Sequence, residues 1–316
     1  MLPVPLTISA SLPILGNGLT DKKMGIKVSI ESHAGFCSGV NAAIKQAEDV
    51  LLEKGSVYCL GEIVHNKAEL ARLVDKGLLV INYTQFENLK NATVLIRAHG
   101  EPPETYQIAR KNNIELLDAS CPIVKKLQFR IKNDFEKSVN TDFQVVIYGN
   151  AGHAEVIGLS GQISHKAILV KEPADLLQID FRKPVRLYSQ TTMGIEGYRQ
   201  IASLIEEQML DANKETMPEL QVNNTVCKQV SRLVPYFTEF AKRHQIIIFV
   251  SGKSSSNGKY LYNICKQANA NTFMVAGINE LCKEWFDVIS YAGICGATST
   301  PHWLMQEIAD FIENNF

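Results

Sequence analysis

The chain lacks an excess of charge of either sign, a long apolar run, and the common cofactor fingerprints. Its 316 residues hold 32 Lys+Arg against 33 Asp+Glu, a formal charge of −1. A basic face that could track a nucleic-acid backbone is therefore not expected, and no nucleic-acid partner is expected. The longest apolar stretch, Ile246-Ile-Ile-Phe-Val250, falls far short of the ~20 residues a membrane helix needs and reads as a buried strand. No membrane association is expected. Gly252-Lys-Ser-Ser resembles the end of a phosphate-binding loop, but position 247, where that motif needs its first glycine, is Ile. No Gly-x-Gly-x-x-Gly follows a strand, so no resident nicotinamide or flavin is expected, and the paired Cys-x-x-Cys spacings of zinc sites are missing.

What is present is the composition of a globular protein. Hydrophobic residues make up 46% and charged residues 21%, which excludes disorder and collagen-like structure. At ~150 residues per domain the length fits two domains or three small ones. Residues 1–24 carry no positive charge before Lys22, and Met24 stands just before a strand-like segment, so this stretch reads as a loose N-terminal extension rather than a secretory signal. Seven scattered cysteines then fit a reducing cytoplasm, where cysteines serve metal binding or catalysis more than disulfides.

Short β-branched runs alternate with helical patterns. Strands are expected at Lys27–Ile30, Val57–Leu60, Thr93–Ile96, Val145–Tyr148, Val185–Tyr188, Ile246–Val250 and Val288–Ala292. Helical spacing joins Val40, Ala43, Ile44, Ala47 and Leu51, and again Trp303, Leu304, Ile308, Phe311 and Ile312. Such alternation predicts α/β architecture with mostly parallel sheets.

Two repetitions stand out. Cys37, Cys121 and Cys227 each sit between a strand-like and a helical run, about one small domain apart, and Pro122 suits the first position of a helix. A cysteine there faces the positive end of the helix dipole, which favours the metal-binding thiolate. The competing reading is three small buried hydrophobes. Cys59, Cys265, Cys282 and Cys295 lie in apolar runs and are expected in the core. Six strand-like runs also end in polar segments: Glu62–Asn66, Arg97–Gly100, Gly149–Glu155, Ser189–Thr192, Ser251–Gly258 and Gly296–Pro301. Ligands bind at the carboxyl ends of strands in open α/β sheets, so six ends could share one cleft. Their His, Ser, Thr and Asn donors suit an anion such as diphosphate, held without an arginine clamp.

These residues carry a resemblance. Gly-Phe-Cys-x-Gly-Val at 35–40, Ile-Val-His-Asn at 63–66, Arg-Ala-His-Gly at 97–100, Asp-Ala-Ser-Cys-Pro at 118–122, Ala-Gly-His-x-Glu-Val at 151–156, Ser-Gln-Thr-Thr at 189–192, Ser-Ser-Asn at 255–257 and Ala-Thr-Ser-Thr-Pro at 297–301 resemble, in order, the 4-hydroxy-3-methylbut-2-enyl diphosphate reductase family. The resemblance implies three similar small α/β domains around a central iron–sulfur cluster, here expected at 25–121, 122–226 and 227–316 with a C-terminal helix. It implies one [4Fe-4S] cluster on Cys37, Cys121 and Cys227 with one open iron. His65, His99, His153, Thr191, Ser255, Ser256, Asn257 and Ser299 resemble the substrate-binding set, and Glu155 the proton donor. The reaction implied is reductive dehydroxylation of the allylic diphosphate to isopentenyl and dimethylallyl diphosphates, last in the non-mevalonate isoprenoid pathway. Electrons are expected from an external carrier such as ferredoxin or flavodoxin. One stretch departs: many members carry an Asn-Arg pair after the third cysteine, where this chain reads Cys227-Lys-Gln-Val-Ser-Arg-Leu-Val-Pro-Tyr236. The readings in competition are an iron–sulfur hydro-lyase on a small anionic substrate and a non-enzymatic iron–sulfur redox sensor, although carriers usually cap every iron with cysteine.

Overall fold

A computed structural model describes residues 25–137, 142–213, 216 and 218–316. The expected loose extension at 1–24 lies outside the described residues. The chain starts with β1 (Lys27–Ile30) and α1 (Ser38–Lys54), whose apolar spacing buries Ala43, Ile44, Ala47 and Leu51. Gly55, in the left-handed region at φ 73°, closes α1. Then follow β2 (Val57–Leu60), α2 (Lys67–Asp75), β3 (Leu78–Ile81), α3 (Tyr83–Asn88), β4 (Thr93–Ile96), α4 (Pro103–Lys111) and β5 (Glu115–Asp118). Strands β2 to β5 form one parallel sheet in the order β3-β2-β4-β5.

The second unit comprises α5 (Pro122–Glu136), β6 (Gln144–Tyr148), α6 (Ala154–Gly161), β7 (Ile168–Val170), β8 (Val185–Ser189), α7 (Ile195–Ala212) and β9 (Leu220–Val222). Its sheet runs β7-β6-β8-β9, again parallel. The third comprises α8 (Lys228–Lys242), β10 (Ile246–Val250), α9 (Ser256–Ala268), β11 (Thr272–Val275), β12 (Tyr291–Gly296) and α10 (His302–Asn315). Its sheet runs β11-β10-β12-β1 and is parallel as well.

The three sheets share one topology, and this overturns one expected boundary. β1 belongs not with residues 57–118 but with the third sheet, where Lys27–Ile30 pair with Tyr291–Ile294. Each unit therefore lends its fourth strand to a crossover: β5 feeds α5 into the second unit, β9 feeds α8 into the third, and β1 feeds α1 into the first. The ring of three closes through the N-terminal strand. The last strand also shifts, from the expected 288–292 to Tyr291–Gly296, with Val288 left 88% exposed ahead of it.

Helices cover both faces of each sheet, as parallel sheets require. In β10 all five residues are buried; Ile246, Ile248 and Val250 point into one apolar cluster and Ile247 and Phe249 into the other. Helix α8 runs through Pro235, which removes the bond to the Ser231 carbonyl and costs ~3 kcal/mol. Its buried Leu233, Phe237, Phe240 and Ala241 offset that loss. Between units, Trp303 Nε1 on α10 donates to buried Glu69 on α2 at 2.8 Å. No helix among the described residues is long and apolar enough to cross a membrane.

Candidate active site

The carboxyl ends of all three sheets meet at one cavity of about 80 Å³, several times the ~10–15 Å³ that a single water needs. Two kinds of strand end reach it. The edge strands β1, β5 and β9 each lead to a cysteine, and Cys37, Cys121 and Cys227 sit at the N-caps of α1, α5 and α8. The backbone repeats one lock at all three. Cys37 N donates to Thr298 O (3.1 Å), Cys121 N to Ala98 O (2.9 Å) and Cys227 N to Thr191 O (2.7 Å). Each cysteine is thus tied to a loop that follows a central strand of the sheet its own edge strand completes.

All three cysteines are free and partly buried, and all three line the cavity. Gly39, in the first turn of α1, packs so closely that a Cβ there would stand 2.8 Å from Cys121 Sγ. Burial pushes the Cys37 thiol up, opposed by the Val40 and Gly39 N–H groups and reinforced by the other two cysteines. Cys227 is pushed up for the same first reason, against the Gln229 and Val230 N–H groups. At Cys37 and Cys227 the helix ends act in the expected direction but burial outweighs them, so without metal these two thiols are held protonated. Of the other cysteines, Cys59, Cys265 and Cys295 are buried as expected, whereas Cys282 is exposed at the start of a short 3₁₀ turn.

The second kind of end belongs to the central strands, two per sheet. His65 follows β2, His99 follows β4, His153 caps α6 after β6, Thr191 follows β8, Ser255–Asn257 open α9 after β10, and Ser299 follows β12. The rings of His65, His99 and His153 have centroids 4.8 to 5.5 Å apart. Burial lowers all three pKa values, His153 to about 4, and neighbouring Arg97 adds to the effect. The histidines are neutral near neutrality. His153 Nδ1 accepts the Glu155 N–H at 3.2 Å, which leaves its proton on Nε2. His65 has no hydrogen-bond partner on either ring nitrogen, nor has His99 on Nδ1. One ring nitrogen from each of the three lies within 4.8 Å of the others, so the three can converge on one shared ligand.

Glu155, in the first turn of α6, is 1% exposed. Thr191 donates to it twice, from N at 2.7 Å and from Oγ1 at 2.9 Å. Burial nevertheless raises its pKa to about 7, with the Thr191 hydrogen bonds opposing.

Not every expected residue faces the same space. His65, His99, Glu155, Thr191, Asn257 and Ser299 line the cavity with the cysteines. His153 and Ser256 face a neighbouring vestibule that also contains His65. Ser255 lies behind the wall: it caps α9 through Gly258 N (3.1 Å) and meets Ser299 Oγ at 3.1 Å. Asn257 Oδ1 accepts Thr298 N at 2.8 Å, so only its amide N–H groups remain for a ligand. Three contributors were not singled out from sequence: Gly39, Thr298 and Gln229. The first two lie inside quoted motifs. Gln229 stands in the divergent stretch, where its amide accepts Ser38 N (3.2 Å) and donates to Ser38 Oγ (2.6 Å), bridging the first and third cysteine turns.

The donor chemistry fits an iron–sulfur group: three soft sulfurs, apolar neighbours including Val40, Val124 and Val230, and no Lys or Arg lining this cavity among the described residues. The LytB protein family model matches residues 28–313. A 4-hydroxy-3-methylbut-2-enyl diphosphate reductase of Phocaeicola vulgatus is 46% identical, over 92% of this chain and 99% of its own. The same-named protein of Bacteroides thetaiotaomicron is 47% identical over 91% and 98%. A solved structure described as (E)-4-hydroxy-3-methyl-but-2-enyl diphosphate reductase, the terminal enzyme of the non-mevalonate pathway, matches with TM-score 0.66 and 32% identity over 92% of this chain and 99% of that one. The E-1-hydroxy-2-methyl-but-2-enyl-4-diphosphate reductase of Plasmodium falciparum shares the fold at TM-score 0.77 with 22% identity, over 91% and 88%. With its motifs in order, its three sheets around one cavity and a match along nearly its whole described length, the chain belongs to the LytB family.

Proposed function

We propose that this chain reduces (E)-4-hydroxy-3-methylbut-2-enyl diphosphate to isopentenyl and dimethylallyl diphosphates, using one [4Fe-4S] cluster held by Cys37, Cys121 and Cys227 with one iron left without a cysteine ligand. The observation that carries this reading is the convergence of three thiols from three helix starts on the cavity that also holds Glu155 and the neutral donors. The overall change breaks a C–O bond and forms a C–H bond. Two electrons and two protons enter, and one water leaves. When bound, the cluster supplies the electrons and a Lewis-acidic iron.

The side chains do the rest. Neutral imidazole N–H groups of His65 and His99, with Asn257 and Ser299, donate to the phosphate oxygens, and Ser255 orients the Ser299 hydroxyl. His153 and Ser256 donate from the vestibule side. Glu155 keeps a proton near pH 7 because ionising it in the dry cavity is costly, and so it serves as the acid toward the departing hydroxyl. The Thr191 hydroxyl beside it is placed to relay that proton.

The electron donor is a separate carrier such as ferredoxin or flavodoxin, since the sequence has no nicotinamide or flavin fingerprint. A reducing cytoplasm suits the seven free cysteines, two of which (Cys265 and Cys295) are neighbours without a bridge. The test is anaerobic reconstitution with iron and sulfide, followed by turnover with a chemical reductant. Both isopentenyl and dimethylallyl diphosphates are expected; a brown, iron-loaded protein that releases neither refutes the activity. NADPH alone should give no turnover, and a ferredoxin or flavodoxin system should restore it.

A further inference from the structure

Beside the central cavity lies a second, larger space of about 620 Å³, the vestibule, which shares the His65 wall with it. The two differ in charge. The inner cavity has Glu155 as its carboxylate and no lining cation among the described residues, whereas Arg97, Lys171 and Lys259 all line the vestibule and no Asp or Glu does. Four acids contact members of that lining without lining the space themselves. Glu101 is 3.6 Å from Arg97 Nε, Glu62 is 3.7 Å from His65 Nδ1, Glu196 accepts from the Tyr260 hydroxyl, and Asp175 is engaged by the backbone N–H groups of Lys171 and Glu172. Among the described residues, neither ammonium of Lys171 and Lys259 is within ion-pair distance of a carboxylate, while Lys253 nearby is held by Glu280 at 2.7 Å. Arg97 Nε and both His65 nitrogens are buried without a hydrogen-bond partner. Three cations and unpartnered donors around one space, in a chain of net charge −1, are a local concentration of positive potential rather than a general property of the surface.

We infer that the vestibule is an anion-capture port, in which Lys171, Lys259 and Arg97 attract the diphosphate end of the substrate and deliver it to the uncharged cradle behind His65. This rests on the reading of the inner cavity as a diphosphate site. It resolves a difficulty in that reading, because a multiply charged anion must otherwise reach a cavity that offers it no cation. Clefts of one sign raise association rates by ~10–10³, and the effect falls with ionic strength. Spread over three cations, removing one should lower kcat/KM about 2- to 10-fold at low salt.

The test uses Lys171→Gln, Lys259→Gln and the double variant of the reconstituted enzyme, with Lys183→Gln as a control. Lys183 pairs with Asp142 and does not line the vestibule. Two readouts are taken across ionic strength: kcat/KM for the allylic diphosphate, and the affinity for inorganic pyrophosphate by calorimetry. The double variant should lose about 4- to 100-fold in kcat/KM at low salt, keep kcat, bind pyrophosphate more weakly and show a shallower salt dependence in both. The control should match wild type. A double variant with wild-type kcat/KM, salt dependence and pyrophosphate affinity overturns the port. If wild type binds pyrophosphate in this lysine-dependent way but does not turn over the allylic diphosphate, the reductase reading fails and the port stands.

Discussion

Edge strands and central strands end at the same cavity but deliver opposite chemistry. The edge strands β1, β5 and β9 end in thiols set among apolar side chains; the central strands end in imidazoles, hydroxyls and an amide. Topology accounts for the difference. At these three edge strands the chain leaves one sheet for the next, so each cysteine is fixed twice, by the helix it caps and by the carbonyl of a loop in the sheet just left. Three points fixed in this way suit a rigid group that must be gripped at set distances. A central strand returns its chain within the same sheet, and its loop can adjust to an anion whose oxygens accept hydrogen bonds from several directions.

The most damaging way to break the contrast is at the edge set. Cys37→Ser, Cys121→Ser or Cys227→Ser should each reduce iron content and the brown absorbance and remove turnover. Cys59→Ser, Cys265→Ser, Cys282→Ser and Cys295→Ser should keep the iron. Gly39→Ala is the sharper probe, since it leaves every ligand in place. Its methyl would have to sit 2.8 Å from Cys121 Sγ, so either α1 or the sulfur must move. Loss of iron from this variant, with the fold intact by circular dichroism, is the expected result. A fully loaded, active Gly39→Ala protein would show that the cysteine triangle tolerates displacement.

The next largest effect lies at Glu155, where the two sets touch. Glu155→Gln should retain the cluster and lose about 10²–10⁴ in turnover, the range for a missing general acid. Wild-type turnover should fall as pH rises through about 7, as the carboxyl ionises. The same shift governs stability, and its sign is fixed. The folded pKa lies above the ordinary 4.5, so the carboxyl is neutral in both states at low pH, and the fold loses stability as pH rises toward 7. The loss is on the order of 3 kcal/mol at most. In the cluster-free chain, Glu155→Gln should flatten this decline between pH 4.5 and about 7 in urea unfolding. The buried histidines act oppositely. With His153 lowered to about 4, stability present above pH 6.5 is lost as pH falls toward 4.

Legibility in the sequence followed the same division. Five of the six central strands were visible as apolar runs, most plainly the wholly buried β10, whereas β12 (Tyr291–Gly296), with two glycines and an alanine in place of β-branched residues, was expected three residues early. The edge strands β3, β5, β7, β9 and β11 were not visible. They are three or four residues long and half open; Leu79 and Val80 of β3 are exposed, as is Val222 of β9. β1 was visible as a strand, yet its membership was not, since pairing with Tyr291–Ile294 depends on residues more than 250 positions away. The cysteines and polar loops were legible because their chemistry is scarce and recurs. The direction of the thiol shift was not, because burial, which decides it, is a tertiary property.

Within the central set, Ser299 and Asn257 should separate. Each hydrogen bond to a charged oxygen is worth ~1.5–3 kcal/mol, so Ser299→Ala should weaken substrate binding about 10- to 150-fold while sparing iron content. Asn257→Ala removes the acceptor for Thr298 N as well, and Thr298 O is the acceptor for Cys37 N. It should therefore weaken binding and also reduce cluster loading, which links the two sets through one loop. If isothermal titration and iron analysis gave the same pattern for both variants, that link would be absent.

The smallest effect is expected from Gln229, and it tests the part of the chain that departs from its family. Gln229 and Ser38 exchange two hydrogen bonds across the starts of α8 and α1. Both residues are partly solvated, so the two bonds together contribute no more than ~0.5–1.5 kcal/mol. Removing the amide by Gln229→Ala should leave all three thiols in place and turnover within about 10-fold of wild type. Its signature is kinetic: with the two turns no longer fastened, the cysteine triangle opens more often, and cluster loss in air should run about 2- to 10-fold faster. Gln229→Glu sharpens the test. It keeps an acceptor for Ser38 N and for the Ser38 hydroxyl, although it sets a charge beside the cavity. Equal cluster lifetimes in Gln229→Ala and wild type would mean that the cysteines alone set the spacing of α1 and α8, and that the divergent stretch has no part in holding the site together.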